Sequence, residues 1–359
     1  MKLPDLRDFD LTEKKVLLRC DFDVPLIIEQ ESERVKEWKV GDDTRIQDSL
    51  LTINLLLSKK TKIIILSHLG RPEGKVVPEL SLRPVAKKLG ELLNEKLKIK
   101  NEKLQSKIKN FSIYQLADNL VLLENLRFNS GEEGNSPEFA QKLASLGEFY
   151  INDAFAVCHR EHASIVGLPK LLPHAAGFSL LKEVEVLSRV LENPKKPVVV
   201  ILGGAKEDKL EVVGKLQGWA DYILIGGKLP LIITNKYQFQ ISNERIIIGM
   251  LNESGKDITL ETIEKFGEII KNAGTIIWSG PMGQYESEVG RAKWEVGTRK
   301  IAEAVVNSGA FTVIGGGDTE AALTKFSLVD KIDYVSSGGG AMLEFLANGD
   351  LPGLKALRV

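Results

Sequence analysis

The chain has 359 residues, 43% apolar and 27% charged, with 48 Lys and Arg against 49 Asp and Glu. That length exceeds what one core usually holds, so two domains are expected, and the balanced charge excludes a global field for nucleic acid or anionic membrane. Cys20 and Cys158 are the only cysteines, too few for a disulfide framework. No apolar run approaches the roughly 20 residues of a membrane span. The start, MKLPDLRDFDLTEKK, has charges where a signal peptide needs an apolar core. A cytoplasmic protein is expected.

Short β-branched runs recur along the chain, each followed by turn residues and a helical pattern. KVLLRCDF, TKIIILSH, LVLLEN and FYINDAF come first; KPVVVILGG, DYILIGG, GTIIWSG, FTVIGGG and DYVSSGGG follow. Between them Ile46, Leu50, Ile53 and Leu57 keep one helical period, and Phe139, Leu143 and Leu146 another behind a Ser136-Pro137 start signal. Near-continuous apolar strands alternating with helices predict a parallel sheet covered on both faces. A long pattern through Leu180, Leu181, Val184, Leu187 and Leu191, stopped by Asn193-Pro194, predicts a connecting helix. The expected fold is α/β, with two doubly wound, Rossmann-like lobes joined by that helix and a cleft between them. The expected boundaries are 1–172 for the first lobe, 173–193 for the hinge and linker helix, and 194–348 for the second. One large sheet with a long crossover is the alternative.

Ligands of open α/β sheets bind at the carboxyl ends of the strands. In the first half those ends carry Asp21 and Asp23, then Ser67-His68-Leu69-Gly70-Arg71, then Arg127, then His159-Arg160-Glu161-His162, with Arg45 at the start of a helix. Arginine is suited to bidentate capture of phosphate or carboxylate. A single arginine here reads as a solvated charge, but four at equivalent ends point to a shared anion site. In the second half the ends carry Gly203-Gly204-Ala205-Lys206, Gly226-Gly227, Gly280-Pro281, Gly315-Gly316-Gly317-Asp318 and Gly338-Gly339-Gly340. Bare backbone at a helix start aims unpaired N–H groups at an anion. Any one glycine pair is explained by a tight turn alone; the set, with Lys206 and Asp318 beside it, points to nucleotide phosphates and to Mg²⁺ on Asp318. Neither G-x-x-x-x-G-K-[ST] nor a G-x-G-x-x-G with a downstream acid is present.

Taken together, DFDVP at 21–25, DDTRI at 42–46, SHLGRP at 67–72, LLENLRF at 122–128, NDAF…HREHAS at 152–164, ILGGAK at 201–206, IIWSGPMG at 276–283, IGGGDT at 314–319 and SSGGGAMLE at 336–344 resemble the phosphoglycerate kinase family, in order and over nearly the whole chain. The resemblance implies 3-phosphoglycerate on the first lobe, Mg-nucleotide on the second, and phosphoryl transfer between ATP and the acid's carboxylate. It implies that Asp21, Asp23, Arg45, His68, Arg71, Arg127 and Arg160 hold the acid, with His162 close by. Lys206 would follow the transferring group, and Lys209 the nucleotide phosphates. Gly204, Gly226, Gly227, Pro281 and Glu286 would line the adenosine pocket, and Gly316, Gly317, Asp318 and Thr319 the phosphate and metal end. Gly338, Gly339 and Gly340 would aim amides at the group in flight, with side chains there standing in the way. The arginines and histidines of the first lobe would together neutralise the acid. The resemblance also implies that 349–359 packs back on the first lobe and that the protein is a monomer.

Four positions depart from the family pattern. Asp23 replaces an asparagine, and a second carboxylate beside an anionic ligand is expected to be protonated, turned away or paired with an arginine. Gly203-Gly204-Ala205-Lys206-Glu207-Asp208-Lys209 is one residue short, which within a helix would rotate Lys209 by about 100°. Ser279 stands for asparagine after the tryptophan, and Lys228 for a third glycine, so the base-side wall is expected to be rebuilt. On the residues alone, a nucleotide-binding regulator with little activity and a kinase for another phosphorylated acid stay open.

Overall fold

The computed structural model describes residues 1–31, 36–97, 106–108, 111–236, 244–284 and 296–358. The chain divides into two compact units, Met1–Glu185 with Pro352–Val359, and Val186–Leu351. The division falls inside the helix Phe178–Glu192, where the long leucine pattern ends at Asn193-Pro194. Leu180 and Val184 are buried in its first half, Leu187 and Val190 in its second. The C-terminal segment belongs to the first unit: Gly353 N donates to Cys158 O at 2.8 Å, and a Cβ at Gly353 would stand 2.7 Å from Ile165.

The first unit contains β1 (Lys15–Arg19), β2 (Leu26–Glu31), β3 (Lys36–Val40), β4 (Lys62–Leu66), β5 (Ser106–Ile108), β6 (Phe111–Ala117), β7 (Leu120–Leu123), β8 (Phe149–Asn152) and β9 (His174–Ala176). Among the described residues these make a seven-stranded sheet, β5-β6-β7-β4-β1-β8-β9, and a β2-β3 hairpin. The second unit contains β10 (Val198–Leu202), β11 (Tyr222–Ile225), β12 (Ile246–Ile248), β13 (Thr275–Ser279), β14 (Phe311–Gly315) and β15 (Tyr334–Ser336), ordered β12-β11-β10-β13-β14-β15. Each apolar run read from the sequence forms a strand. The central ones, such as VVVIL of β10 and TIIWS of β13, are buried at every residue, as a sheet covered on both faces requires.

The first sheet is not wholly parallel. β6 pairs antiparallel with β7 and β5 with β6, because only Asp118 and Asn119 separate β6 from β7 and so short a link can only make a hairpin. The helix Pro137–Ala144 starts as its sequence predicts: Ser136 Oγ accepts from Phe139 N at 3.2 Å, with Pro137 in the first turn. In the parallel part of each sheet the order reverses once. β4 and β7 continue from one side of β1 while β8 and β9 lie on the other, and β11 and β12 flank one side of β10 while β13 to β15 lie on the other. Such reversal points open a crevice at the carboxyl ends of the strands. No helix among the described residues is long and apolar enough to cross a membrane.

Candidate active site

In the first unit the residues after β1 and β4 are tied to one another. Arg45, in the first turn of the helix Thr44–Ser58, donates from Nη1 to Asp21 Oδ2 at 2.7 Å and to Asp23 O at 3.1 Å. Asp23 Oδ1 accepts from Gly70 N at 2.8 Å, and Gly70 O in turn accepts from Arg127 Nη1 at 2.8 Å. The carboxylate of residue 23 thus accepts from the backbone of the His68–Arg71 loop, with its other oxygen 3.9 Å from His68 Nε2, while Arg45 reaches Asp23 through its main-chain carbonyl. An asparagine carbonyl could accept the same Gly70 bond. Arg71 and Arg160 are exposed, the first on that loop and the second close enough to lower the pKa of His162.

The histidines do not carry the charge expected of them. Burial, then the charges of Arg19 and Arg127, hold the His68 pKa well below 6.5. Burial, Arg127 and Arg19 bring that of His162 down to about 3. Both shifts favour neutral rings at pH 7, so these two histidines add no positive charge beside the arginines. Arg19 escaped the sequence reading. It closes β1 with no exposed surface and donates from Nε to Ser164 Oγ at 3.0 Å, from Nη1 to Cys20 O, and from Nη2 to His68 Nδ1 at 3.1 Å. Ser164 donates from Oγ to the fully buried Glu132 at 2.6 Å, and His162 Nδ1 lies 3.9 Å from the same carboxylate. The available signal was a lone charge ending the buried run KVLLR. Burial pushes the neighbouring Cys158 thiol up to about 12, so it is inert.

In the second unit the turns stack backbone against backbone. Gly203 N donates to Ser279 O at 2.9 Å, Gly204 N to Pro281 O at 2.7 Å, Lys228 N to Gly204 O at 2.8 Å and Gly227 N to Met282 O at 3.2 Å. A Cβ on Gly227 would sit 2.4 Å from Gly204 N. These glycines thus serve first to let neighbouring turns touch. Gly226 belongs with them, since a Cβ there would stand 2.6 Å from Met282 Sδ. Thr319, read as a nucleotide contact, has its hydroxyl engaged: Oγ1 accepts from Gly280 N at 2.7 Å and donates to Gly315 O at 3.3 Å.

Over these turns lies a cavity of about 200 Å³ lined by Gly204, Ala205, Gly227, Lys228, Lys256, Pro281, Gly283, Gln284 and Asp318. Lys228 lines the cavity at the wall its departure from the family glycine pointed to; Lys256 and Gln284 carried no such signal. Lys209 Nζ donates to Gly203 O and to Ser279 O, each at 3.0 Å. Lys209 lies in the first turn of the short helix Asp208–Glu211, two residues after the turn that carries Lys206 and Glu207. Burial, and then the nearby charge of Lys206, lower the Lys209 pKa to about 8. Lys206 itself is exposed. Glu286 lies outside the described residues.

Two helices start at this end of the sheet. Gly316, at φ 99°, turns β14 into the helix Gly317–Lys325, whose first turn holds the exposed Asp318. Gly338 opens the helix Gly339–Asn348 without a side-chain cap, leaving its first N–H groups without intrahelical acceptors. Here the three consecutive glycines separate into different jobs. Gly338 is buried at the N-cap. A Cβ on Gly339 would meet Gly315 O at 2.7 Å and Gly316 N at 2.8 Å, whereas nothing lies within 4 Å of one on Gly340. The expectation that side chains at all three would obstruct a ligand is corrected. Gly339 is glycine because the 315–316 turn leaves no room, and only Gly340 faces open space.

The comparisons with known proteins agree with this geometry. The phosphoglycerate kinase family model matches residues 6–249 and 243–349. A phosphoglycerate kinase of Dictyoglomus turgidum is 39% identical over an alignment of 401 positions that covers 99% of this chain and 98% of its own, and one of Thermosipho africanus 37% over 406 positions covering 98% and 97%. Among solved structures, that of phosphoglycerate kinase from Coxiella burnetii has a TM-score of 0.73 at 32% identity, covering 99% of each chain. The enzyme from Pyrococcus horikoshii scores 0.78 at 28% identity, covering 99% of this chain and 98% of its own. With a family model and relatives spanning both units, the chain belongs to the phosphoglycerate kinase family.

Proposed function

We propose that the chain moves a phosphoryl group reversibly between ATP and the carboxylate of 3-phosphoglycerate, acting as a kinase. The observation that carries this reading is the contrast at the two strand-order reversals. One has Arg45, Arg127 and neutral imidazoles around Asp21 and Asp23, and the other has bare backbone with Lys209 beneath it and Asp318 beside it.

The attacking carboxylate is ionised at pH 7, so no general base is needed. The difficulty is bringing two anions together. Arg45, Arg71, Arg127 and Arg160 offset the charge of the acid, while His68 and His162 serve as neutral hydrogen-bonding groups. Lys206 and Lys209 offset the nucleotide phosphates, and the N–H groups opening the helix Gly339–Asn348 are placed to meet charge spreading over the moving group. For Mg²⁺ the fit is good but limited. Asp318 is an exposed carboxylate on the lining of the cavity, and no cluster of three or more His, Cys, Asp or Glu is found among the described residues. That suits an ion held mainly by phosphate oxygens and water with one carboxylate from the protein; when bound, it would draw charge from the phosphates.

A coupled assay run in both directions with MgATP and 3-phosphoglycerate, then with 1,3-bisphosphoglycerate and MgADP, tests the reading. Turnover in both directions is expected. Nucleotide binding without turnover would mean a regulator, and turnover with another phosphorylated acid alone would mean a different kinase.

A further inference from the structure

We propose that Arg19 is a positioning residue of the acid site: by donating to Nδ1 of His68 it fixes that ring in the tautomer carrying its proton on Nε2, which then offers a donor to an oxygen of the bound acid. The inference rests on the reading that the acid binds beside His68.

A guanidinium has donors only and keeps its proton at any ordinary pH. A nitrogen that faces it at 3.1 Å, as His68 Nδ1 faces Arg19 Nη2, must present a lone pair. A neutral imidazole with its lone pair on Nδ1 has its proton on Nε2. Were the ring doubly protonated, Nδ1–H would oppose a second donor; burial and the charges of Arg19 and Arg127 favour the neutral ring. Nε2 is on the ring edge toward Asp23 Oδ2, 3.9 Å away, in the cluster that ties Asp23 to Gly70 and Arg45.

Arg19 can impose this because it cannot turn. Its three nitrogens each hold a different partner: Ser164 Oγ, Cys20 O and His68 Nδ1. Ser164 is held twice by Glu132, through Oγ at 2.6 Å and through its backbone N at 3.0 Å. Glu132 is fully buried; burial raises its pKa, opposed by the charge of Arg19 and the two bonds from Ser164, and it meets Arg19 through Ser164. A simpler role, a buried Arg19–Ser164–Glu132 chain that only stabilises the unit, accounts for those contacts. It does not account for the arm spent on a ring nitrogen.

The test separates the two. Lysine at position 19 can only donate, so Arg19→Lys should keep the tautomer; Arg19→Gln can donate or accept, so its tautomer is no longer dictated. In the full chain with ¹⁵N-labelled histidine, long-range ¹H–¹⁵N spectra report the protonated nitrogen without any ligand. His68 is expected as Nε2–H in the wild type and Arg19→Lys, and as a mixture in Arg19→Gln. By calorimetry, Arg19→Gln should bind 3-phosphoglycerate about tenfold more weakly, the scale of one hydrogen bond to a charged group, with the Kd for ADP unchanged. An Nδ1–H or doubly protonated His68 in the wild type overturns the proposal whether or not Arg19→Gln folds. So does a mixed tautomer in Arg19→Gln with undiminished affinity. If the wild-type tautomer is as stated but 3-phosphoglycerate leaves the His68 signals unmoved, the acid site is misplaced: the substrate half of the proposal falls with that reading, while the Arg19–His68 contact stands.

Discussion

Gly339 and Gly340 are adjacent, yet alanine at each should fail in opposite ways. At Gly339 the new Cβ would lie 2.7 Å from Gly315 O, 2.8 Å from Gly315 C and 2.8 Å from Gly316 N, all backbone atoms of a turn that opens another helix. Overpacking of this kind costs about 1–3 kcal/mol. For a unit of the size of Val186–Leu351, each kcal/mol lowers Tm by about 2–4 °C, so Gly339→Ala should melt roughly 5 °C lower. At Gly340 the Cβ meets nothing within 4 Å, and alanine is favoured over glycine inside a helix by up to about 1 kcal/mol. Gly340→Ala should therefore be as stable as the parent or slightly more so. If the open face at 340 is where the phosphoryl group passes, its kcat should nonetheless fall about 100-fold, the scale of displacing one preorganised donor. Scanning calorimetry and the coupled assay on the two variants give four numbers. A Gly340→Ala enzyme with parental kcat would refute the placement of the moving group; a Gly339→Ala enzyme with parental Tm would refute the packing argument.

Removing Arg45 takes the nearest cation from Asp21, which is 6% exposed. Arg45→Ala should raise KM for 3-phosphoglycerate at least tenfold and leave the calorimetric Kd for MgADP within twofold; equal losses in both would point to unfolding. Lys209 has a depressed folded pKa of about 8 against 10.5 in the unfolded chain, so in the unliganded protein this one side chain loses its charge as pH rises through 8. ADP should bind progressively more weakly from pH 7 to pH 9, and Lys209→Met, weaker throughout, should lose that slope. The folded pKa of His162, about 3, is also depressed from 6.5, so the unfolded chain takes up a proton first as the solution is acidified. Stability is lost as pH falls through that window, and chemical denaturation at pH 7 and pH 5 should show a smaller loss for His162→Gln. Asp318→Asn should need more Mg²⁺ for half-maximal rate, read directly from a metal titration; an unchanged requirement would take Asp318 off the metal.

What could be read from the residues was whatever depends on local pattern. Runs such as VVVIL and TIIWS are apolar at every residue because both their faces are covered, and the Ser136-Pro137 start is a signal carried within one turn of helix. The antiparallel edge of the first sheet was missed because β5 and β6 lie at its margin and carry weaker apolar runs, SKI and FSIYQLA. The arginines and glycines gathered at these strand ends were legible because strand ends are predictable from strands. Their division of labour was not. Whether a glycine serves a ligand or a neighbouring turn depends on atoms more than 20 residues away, as Gly339 does on Gly315.

The same distinction governs charge. A sequence shows which residue types meet at a strand end but not how deep each sits, and depth decides protonation. His68 and Arg45 are drawn from the same two loops' worth of motif, yet burial leaves the first neutral while the second stays charged against Asp21. An anion site built of fixed guanidinium charge and neutral donors keeps its charge across the pH range in which an exposed histidine would titrate. Substrate capture should then follow the ionisation of the acid's own phosphate, near pH 6, and not that of the protein. A KM profile for 3-phosphoglycerate that breaks with an enzyme group between pH 6 and 8, and loses the break in His68→Gln or His162→Gln, would show that the rings are charged after all.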